Sequence, residues 1–84
     1  MMQKVTLDID GMKCSMCESH VCDAIRKSLP EAKKVKASAL KNEAQFLLED
    51  GFSPDEAVRD IERQGYRVLH VYSEPYQKKK FLFF

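Results

Sequence analysis

The sequence predicts an α+β fold in which two helices cover one face of a four-stranded antiparallel sheet. Three observations support this fold: an alternating apolar pattern at residues 3–10, a strong helix start at residues 53–56, and a β-rich segment at residues 67–73. Alternation of apolar and polar residues is typical of a strand with one buried face. Another amphipathic helix and a hairpin lie between these segments and complete the fold.

The first strand and the first helix flank a short loop. Residues 3–10 alternate apolar and polar side chains, and Gly11 then interrupts the strand. Apolar side chains next recur at spacings of three and four, which indicates one face of a helix. They are Cys17, Val21, Ala24 and Ile25. The helix is predicted from about residue 16 to residue 29, because Pro30 disfavours helical conformation in the residue before it.

The middle of the chain is predicted to form a β-hairpin. Short runs of alternating apolar residues at 35–39 and 44–48 flank the sequence KNE at residues 41–43. Asn favours turns, because its side chain hydrogen-bonds to nearby backbone and it tolerates the left-handed conformation. These two runs are therefore the second and third strands.

The second helix has the clearest start in the chain. Ser53 as N-cap, Pro54 at the first helical position and Glu56 three residues after the cap match a capping box. Gly65 is predicted to end this helix in the left-handed conformation, and the last strand follows Tyr66. The order strand, helix, strand, strand, helix, strand is the split βαβ, ferredoxin-like arrangement.

Length and composition limit the classes of function. The 84 residues support one domain with a modest core, predicted at residues 1–73, followed by a basic and aromatic tail at residues 74–84. A net charge of +1 provides no global field to attract nucleic acid. No apolar run approaches a membrane span, and the tail is too short for stable membrane association. We expect a cytoplasmic protein whose tail packs on its own sheet or on a neighbouring molecule.

All three cysteines lie in the sequence GMKCSMCESHVC at residues 11–22. Cys14 is predicted on the loop and Cys17 in the first turn of the helix, so that both thiols point into one space. Backbone N–H groups and the helix dipole favour thiolates at this position. Two thiolates are a soft ligand set suited to Cu(I), whereas Zn(II) normally takes four ligands. The low ligand count favours Cu(I), or a metal shared between two molecules.

Three further side chains lie near this pair in sequence. Cys22 is about 140° around the helix from Cys17, so we expect a partly exposed bystander. His20 lies one turn after Cys17, and two interpretations stay open: an exposed residue, which we favour, or a third ligand. Met16 is expected to face solvent, where its thioether offers adaptable contact area for a partner.

The chain resembles the heavy-metal-associated domain family, which includes small bacterial copper chaperones and N-terminal domains of P-type copper ATPases. The motif Gly-Met-x-Cys-x-x-Cys at residues 11–17 carries this resemblance, with Val21 four positions later and with Ile61, Gly65 and Tyr66. The similarity covers residues 3–73. It implies the ferredoxin-like fold.

The resemblance also assigns individual residues. It implies that Cys14 and Cys17 are the metal ligands. It implies that Met12 is a core residue beneath the loop, despite its thioether. Tyr66 matches the aromatic residue that lies near the metal loop.

We expect a binding protein and not an enzyme, because the chain has no base paired with a nucleophile, no phosphate loop and no cofactor cradle. The predicted function is that of a Cu(I) metallochaperone, which transfers copper by thiolate exchange as a monomer or a metal-bridged homodimer. The resemblance implies a metal-binding domain of a P-type ATPase or a copper-responsive regulator as the recipient. Three alternatives stay open: a carrier for Zn(II), Cd(II) or Hg(II), a thiol redox protein that uses the Cys14–Cys17 pair, and a purely structural module.

Overall fold

The structure, a computed structural model, describes residues 2–13 and 15–76. Its elements follow the predicted order: strand β1 (Met2–Asp10), helix α1 (Ser15–Ser28), strands β2 (Lys33–Ser38) and β3 (Glu43–Glu49), helix α2 (Asp55–Arg63) and strand β4 (Arg67–Tyr76). The strands form one antiparallel sheet in the order β2-β3-β1-β4. The predicted α+β, ferredoxin-like fold is confirmed.

The core lies between the sheet and the two helices. Alternate side chains at positions 5–9 of β1 and 44–48 of β3 are buried there against one apolar stripe from each helix, as the sequence periods predict. The largest fully buried side chains are Phe46, Leu7, Ile9, Ile25, Leu48, Ile61, Val5 and Val21. Each such side chain contributes about 1.5–3 kcal/mol on burial, whereas a surface ion pair contributes about 0–1 kcal/mol. Apolar packing therefore dominates the stability of the fold.

Strand β4 is longer than predicted. Residues 74–76, which the sequence analysis assigned to the tail, pair with residues 2–4 of β1. Backbone N–H and C=O groups at the start of β1 thereby gain partners on this side of the sheet. The domain boundary predicted at residue 73 thus falls inside a strand. The rest of the predicted tail, residues 77–84, lies outside the described residues.

Helix α2 begins and ends close to the predicted positions. Its first residue is Asp55 and not Pro54. The predicted N-cap is therefore wrong by one residue: Pro54 is the N-cap and makes no side-chain capping bond, although the Ser53 hydroxyl accepts a hydrogen bond from the Asp55 N–H at 3.2 Å. The Glu56 carboxylate pairs with Arg59 at 2.8 Å, and the predicted capping box between Ser53 and Glu56 is not formed. Gly65 follows the helix with φ of +103°, so the predicted left-handed glycine is confirmed.

Candidate metal centre

The loop between β1 and α1 begins at Gly11, close to Tyr66. Gly11 has φ of +109°, a backbone conformation that side-chain-bearing residues rarely adopt. A Cβ atom added at Gly11 would lie 3.4 Å from Cδ1 of Tyr66 and 3.9 Å from its Cα. The Tyr66 side chain is partly buried and packs against the core. Tyr66 thus lies beside the first residue of this loop, where the family resemblance places it.

Met12 holds the described start of the loop against the core. Its side chain is 3% exposed and belongs to the buried apolar cluster, as the family resemblance implies. A side chain buried at this position makes dispersion contacts on every side. Lys13, the next residue, is exposed. The chain therefore turns from the core to the surface between these two residues, immediately before the first cysteine of the motif.

Of the two predicted metal ligands, Cys17 lies in the first turn of α1 and Cys14 lies outside the described residues. The Cys17 side chain is partly buried and packs against the apolar cluster. A thiol at the start of a helix is near backbone N–H groups that lack a partner within the helix. The structure thus places Cys17 where the sequence analysis expected it, and ligation by the pair stays a prediction.

Two hydrogen bonds join the residues that flank the loop, Ile9 and Glu18, to the turn between β2 and β3 at residues 39–42. The N–H of Ala39 donates to a carboxylate oxygen of Glu18 at 2.6 Å, and Glu18 directly follows Cys17. The N–H of Ile9 donates to the carbonyl oxygen of Asn42 at 2.8 Å. Sequence reasoning did not find the first of these contacts, because its partners lie 21 residues apart and neither belongs to a recognisable motif.

The other candidate side chains on α1 have different environments. Met16 is 67% exposed, so its predicted position at the surface is confirmed. His20 is also exposed, which agrees with the interpretation that we favoured. Cys22 is partly buried, and burial raises the pKa of its thiol above the ordinary value, an effect that the nearby Arg26 partly opposes. A protonated thiol is a poor nucleophile and a poor metal ligand.

Within residues 2–13 and 15–76, no group of three or more His, Cys, Asp or Glu side chains is arranged to hold a metal ion. Cys14 lies outside this part of the chain. Neither helix in this part of the chain is long and apolar enough to cross a membrane.

Comparison with known sequences identifies mercuric reductases as relatives. No family model matches the chain. The mercuric reductase of Shigella flexneri is 39% identical over 63 residues, which are 75% of this chain and 11% of the reductase. The mercuric reductase of Lysinibacillus sphaericus is 35% identical over 70 residues, which are 83% of this chain and 12% of the reductase. The chain thus spans a small part of the length of these relatives.

Comparison with solved structures identifies several chains with a similar fold. Oxidised MerP from Ralstonia metallidurans has a TM-score of 0.71 and 28% identity, covering 82% of this chain and 96% of MerP. The CopZ metallochaperone has a TM-score of 0.70 and 22% identity, covering 79% of this chain and 98% of CopZ. A copper-binding domain of the P-type ATPase HMA7 has a TM-score of 0.72 and 21% identity, covering 88% and 99%. These likenesses agree with the fold that the sequence resemblance implied.

Proposed function

We propose, from the premise that this chain is a domain of the heavy-metal-associated fold, that it binds one soft metal ion through Cys14 and Cys17 and passes it to another protein. The observation that carries this proposal is the position of Cys17. It lies in the first turn of α1, three residues after Cys14 in the sequence, at the end of a loop that Met12 anchors in the core.

The chemistry of the ligands supports a soft ion. Thiolate sulfur is polarisable and prefers Cu(I) and similar ions to ions that favour oxygen ligands. Two thiolates leave the coordination shell of such an ion open to a further ligand. The exposed neighbours Lys13 and Met16 leave the surface around the loop accessible to a partner protein. We therefore propose a site that holds the ion and can also release it.

Transfer then proceeds by ligand exchange. A cysteine thiol of the recipient loses its proton and forms a third metal–sulfur bond. One of the two donor bonds, to Cys14 or Cys17, breaks next, and the released thiolate takes up a proton. The metal keeps its oxidation state throughout, so the step needs no oxidant or reductant. We propose that the chain acts as a carrier and not as an enzyme.

Cu(I) is the first candidate for the cargo. The low number of thiolate ligands in the motif supports it, and so does the likeness of the fold to CopZ and to a copper-binding domain of HMA7. On this proposal the recipient is a similar domain of a P-type ATPase or a copper-responsive regulator. The reduced thiols that such a carrier requires support a cytoplasmic location.

Hg(II) is a second candidate, which the sequence comparisons favour. The mercuric reductases are 35% and 39% identical to this chain over 70 and 63 residues. Hg(II) is also a soft ion and suits the same pair of thiolates. With this cargo, the recipient thiols belong to a mercury-processing protein.

Anaerobic titration of the reduced protein tests the proposal. Cu(I), Hg(II) and Zn(II) are each added in competition with a chelator, to the wild-type protein and to Cys14→Ser, Cys17→Ser and Cys22→Ser. We expect one Cu(I) or Hg(II) per chain, an affinity lowered at least about 100-fold by loss of Cys14 or Cys17, and no change with Cys22→Ser. The ion that is bound in preference to the others identifies the cargo.

Other results of the same titration would support the alternatives. Equal binding by Cys14→Ser and wild type would overturn the metal-site proposal. Preferential binding of Zn(II) would exclude both soft-ion candidates. Reversible formation of a Cys14–Cys17 disulfide, in a protein that binds none of the three ions, would indicate a thiol redox protein.

A further inference from the structure

We propose that Glu18 is a positioning residue for the metal site, because its carboxylate fastens the first turn of α1 to the turn at residues 39–42. This inference rests on the proposed function, since it concerns how Cys17 is held. It assigns a role to a side chain that is not itself expected to touch the metal.

The hydrogen bond to Glu18 has the geometry of a strong contact. The Ala39 nitrogen lies 2.6 Å from Oε2 of Glu18, and the contact is partly buried. Hydrogen bonds that involve an ionised group are short and about twice as strong as neutral ones. Partial exclusion of water strengthens them further. The bond therefore restrains the position of residue 18, and the peptide bond passes this restraint on to Cys17.

The same turn also holds the strand that precedes the loop. Asn42, in the left-handed region with φ of +55°, accepts a hydrogen bond from the N–H of Ile9 at 2.8 Å. The N–H of Asn42 in turn donates to the carbonyl oxygen of Ala39 at 3.3 Å. The turn at residues 39–42 thus contacts the chain on both sides of residues 10–17. It therefore joins the two ends of the segment that contains the cysteine motif.

The Glu18 contact differs in kind from the ion pairs on the two helices. Asp23, Glu56 and Asp60 each pair with an arginine three residues later, on the same helix. Such pairs stabilise a helix locally and contribute little to tertiary structure. Glu18 instead joins a helix to a turn 21 residues away in the sequence. Its removal therefore affects the placement of α1 more than the stability of that helix.

Three Glu18 variants distinguish the effect of side-chain length from the effect of charge, and a fourth variant is the control. Glu18→Ala removes the acceptor, and Glu18→Gln keeps an oxygen at the same reach without the charge. Glu18→Asp keeps the charge but shortens the side chain by one methylene group. Glu31→Ala is the control, because Glu31 is exposed in the connection between α1 and β2, beyond the opposite end of the helix. Each variant is measured by amide hydrogen exchange in the metal-free protein and by Cu(I) and Hg(II) titration.

We expect Glu18→Ala and Glu18→Asp to accelerate exchange of the Ala39 amide about 10-fold or more, as loss of a hydrogen bond to a charged group implies. Both variants should weaken binding of the preferred ion about 10-fold, because the second thiolate is no longer held in place. Glu18→Gln should show smaller changes than these two variants, because its neutral oxygen still accepts a weaker hydrogen bond at the same reach, and Glu31→Ala should match the wild type.

Unchanged Ala39 exchange and unchanged affinity in Glu18→Ala would overturn the positioning role. Wild-type behaviour of Glu18→Asp would also overturn it, because charge alone would then be sufficient. If Glu18→Ala does not fold, Glu18→Asp and Glu18→Gln provide the test. Weaker binding in Glu18→Asp than in Glu18→Gln supports the positioning role, and wild-type binding in Glu18→Asp overturns it. If the wild-type protein binds no soft metal, the proposed function fails, while exchange at Ala39 still reports whether Glu18 restrains the loop.

Discussion

Gly11 and Tyr66 lie side by side, with 3.4 Å between Cδ1 of Tyr66 and the position that a Cβ atom on Gly11 would occupy. Gly11 is the first residue of the loop between β1 and α1, and Tyr66 lies in the connection between α2 and β4. The two halves of the chain therefore meet where the proposed ligands begin. Packing in the second half, around Tyr66, contributes to the shape of a loop in the first half.

The first prediction concerns Gly11→Ala. Its positive φ makes any side chain costly, by about 1–3 kcal/mol in the free energy of unfolding. Gly51→Ala is a matched control, because Gly51 has φ of +100° and no neighbouring atom within 4 Å of an added Cβ. Urea denaturation should show that both variants are destabilised. Titration should show weaker metal binding in Gly11→Ala alone, and equal affinities would mean that the Gly11–Tyr66 contact does not shape the site.

The second prediction compares two methionines of the motif. Met12 is 3% exposed and Met16 is 67% exposed. Met12→Ala should lower the free energy of unfolding by about 2–5 kcal/mol, because it leaves a cavity in the core. Met16→Ala should change it by less than about 0.5 kcal/mol. Met12→Leu should retain metal binding, and a large loss of affinity in that variant would show that the Met12 thioether is a ligand.

The third prediction concerns pH and Cys22. Burial raises the pKa of this thiol in the folded protein above its value in the unfolded chain. The contribution of Cys22 to stability is therefore complete below the ordinary thiol pKa of about 8.5, and it is lost as the pH rises through the higher pKa of the folded state. Urea midpoints measured from pH 7 to pH 10 should fall more steeply for the wild-type protein than for Cys22→Ser. Parallel curves would contradict the prediction.

Comparison with Cys22→Ser is necessary because Cys14 and Cys17 are present in both proteins. Their ionisation affects both curves, and the difference between the curves isolates Cys22. Alkylation provides an independent measurement, since only the thiolate reacts. At pH 8, Cys22 should react with iodoacetamide more slowly than the cysteine of an unstructured peptide.

The fourth prediction concerns His20. Its exposed side chain is expected to contribute no bond to the metal, so His20→Ala should bind Cu(I) or Hg(II) within about threefold of wild type. The same titration and competing chelator provide the measurement. A loss of 10-fold or more, about 1.4 kcal/mol, would identify His20 as a third ligand.

Local sequence patterns predicted the helices and strands, whereas the positions of Met12 and Tyr66 near the candidate site came from the family resemblance. The alternation at residues 3–10 and the glycine at residue 65 depend on interactions within a few residues, and the structure confirms both. Met12 and Tyr66 were placed by the family resemblance, and their burial and position are also confirmed. The predicted capping box did not form: the Ser53 hydroxyl accepts from the Asp55 N–H and not from that of Glu56, and the Glu56 carboxylate pairs with Arg59.

The sequence by itself determined the order of the elements, the faces that they bury and the position of the cysteine motif between a strand and a helix. These features follow from short-range periodicity and turn chemistry. The tertiary structure alone decided that β4 continues to Tyr76, and that Glu18 reaches the Ala39 amide. Both depend on which backbone groups of distant segments come within hydrogen-bond distance after the sheet and helices pack, and no local pattern records that distance.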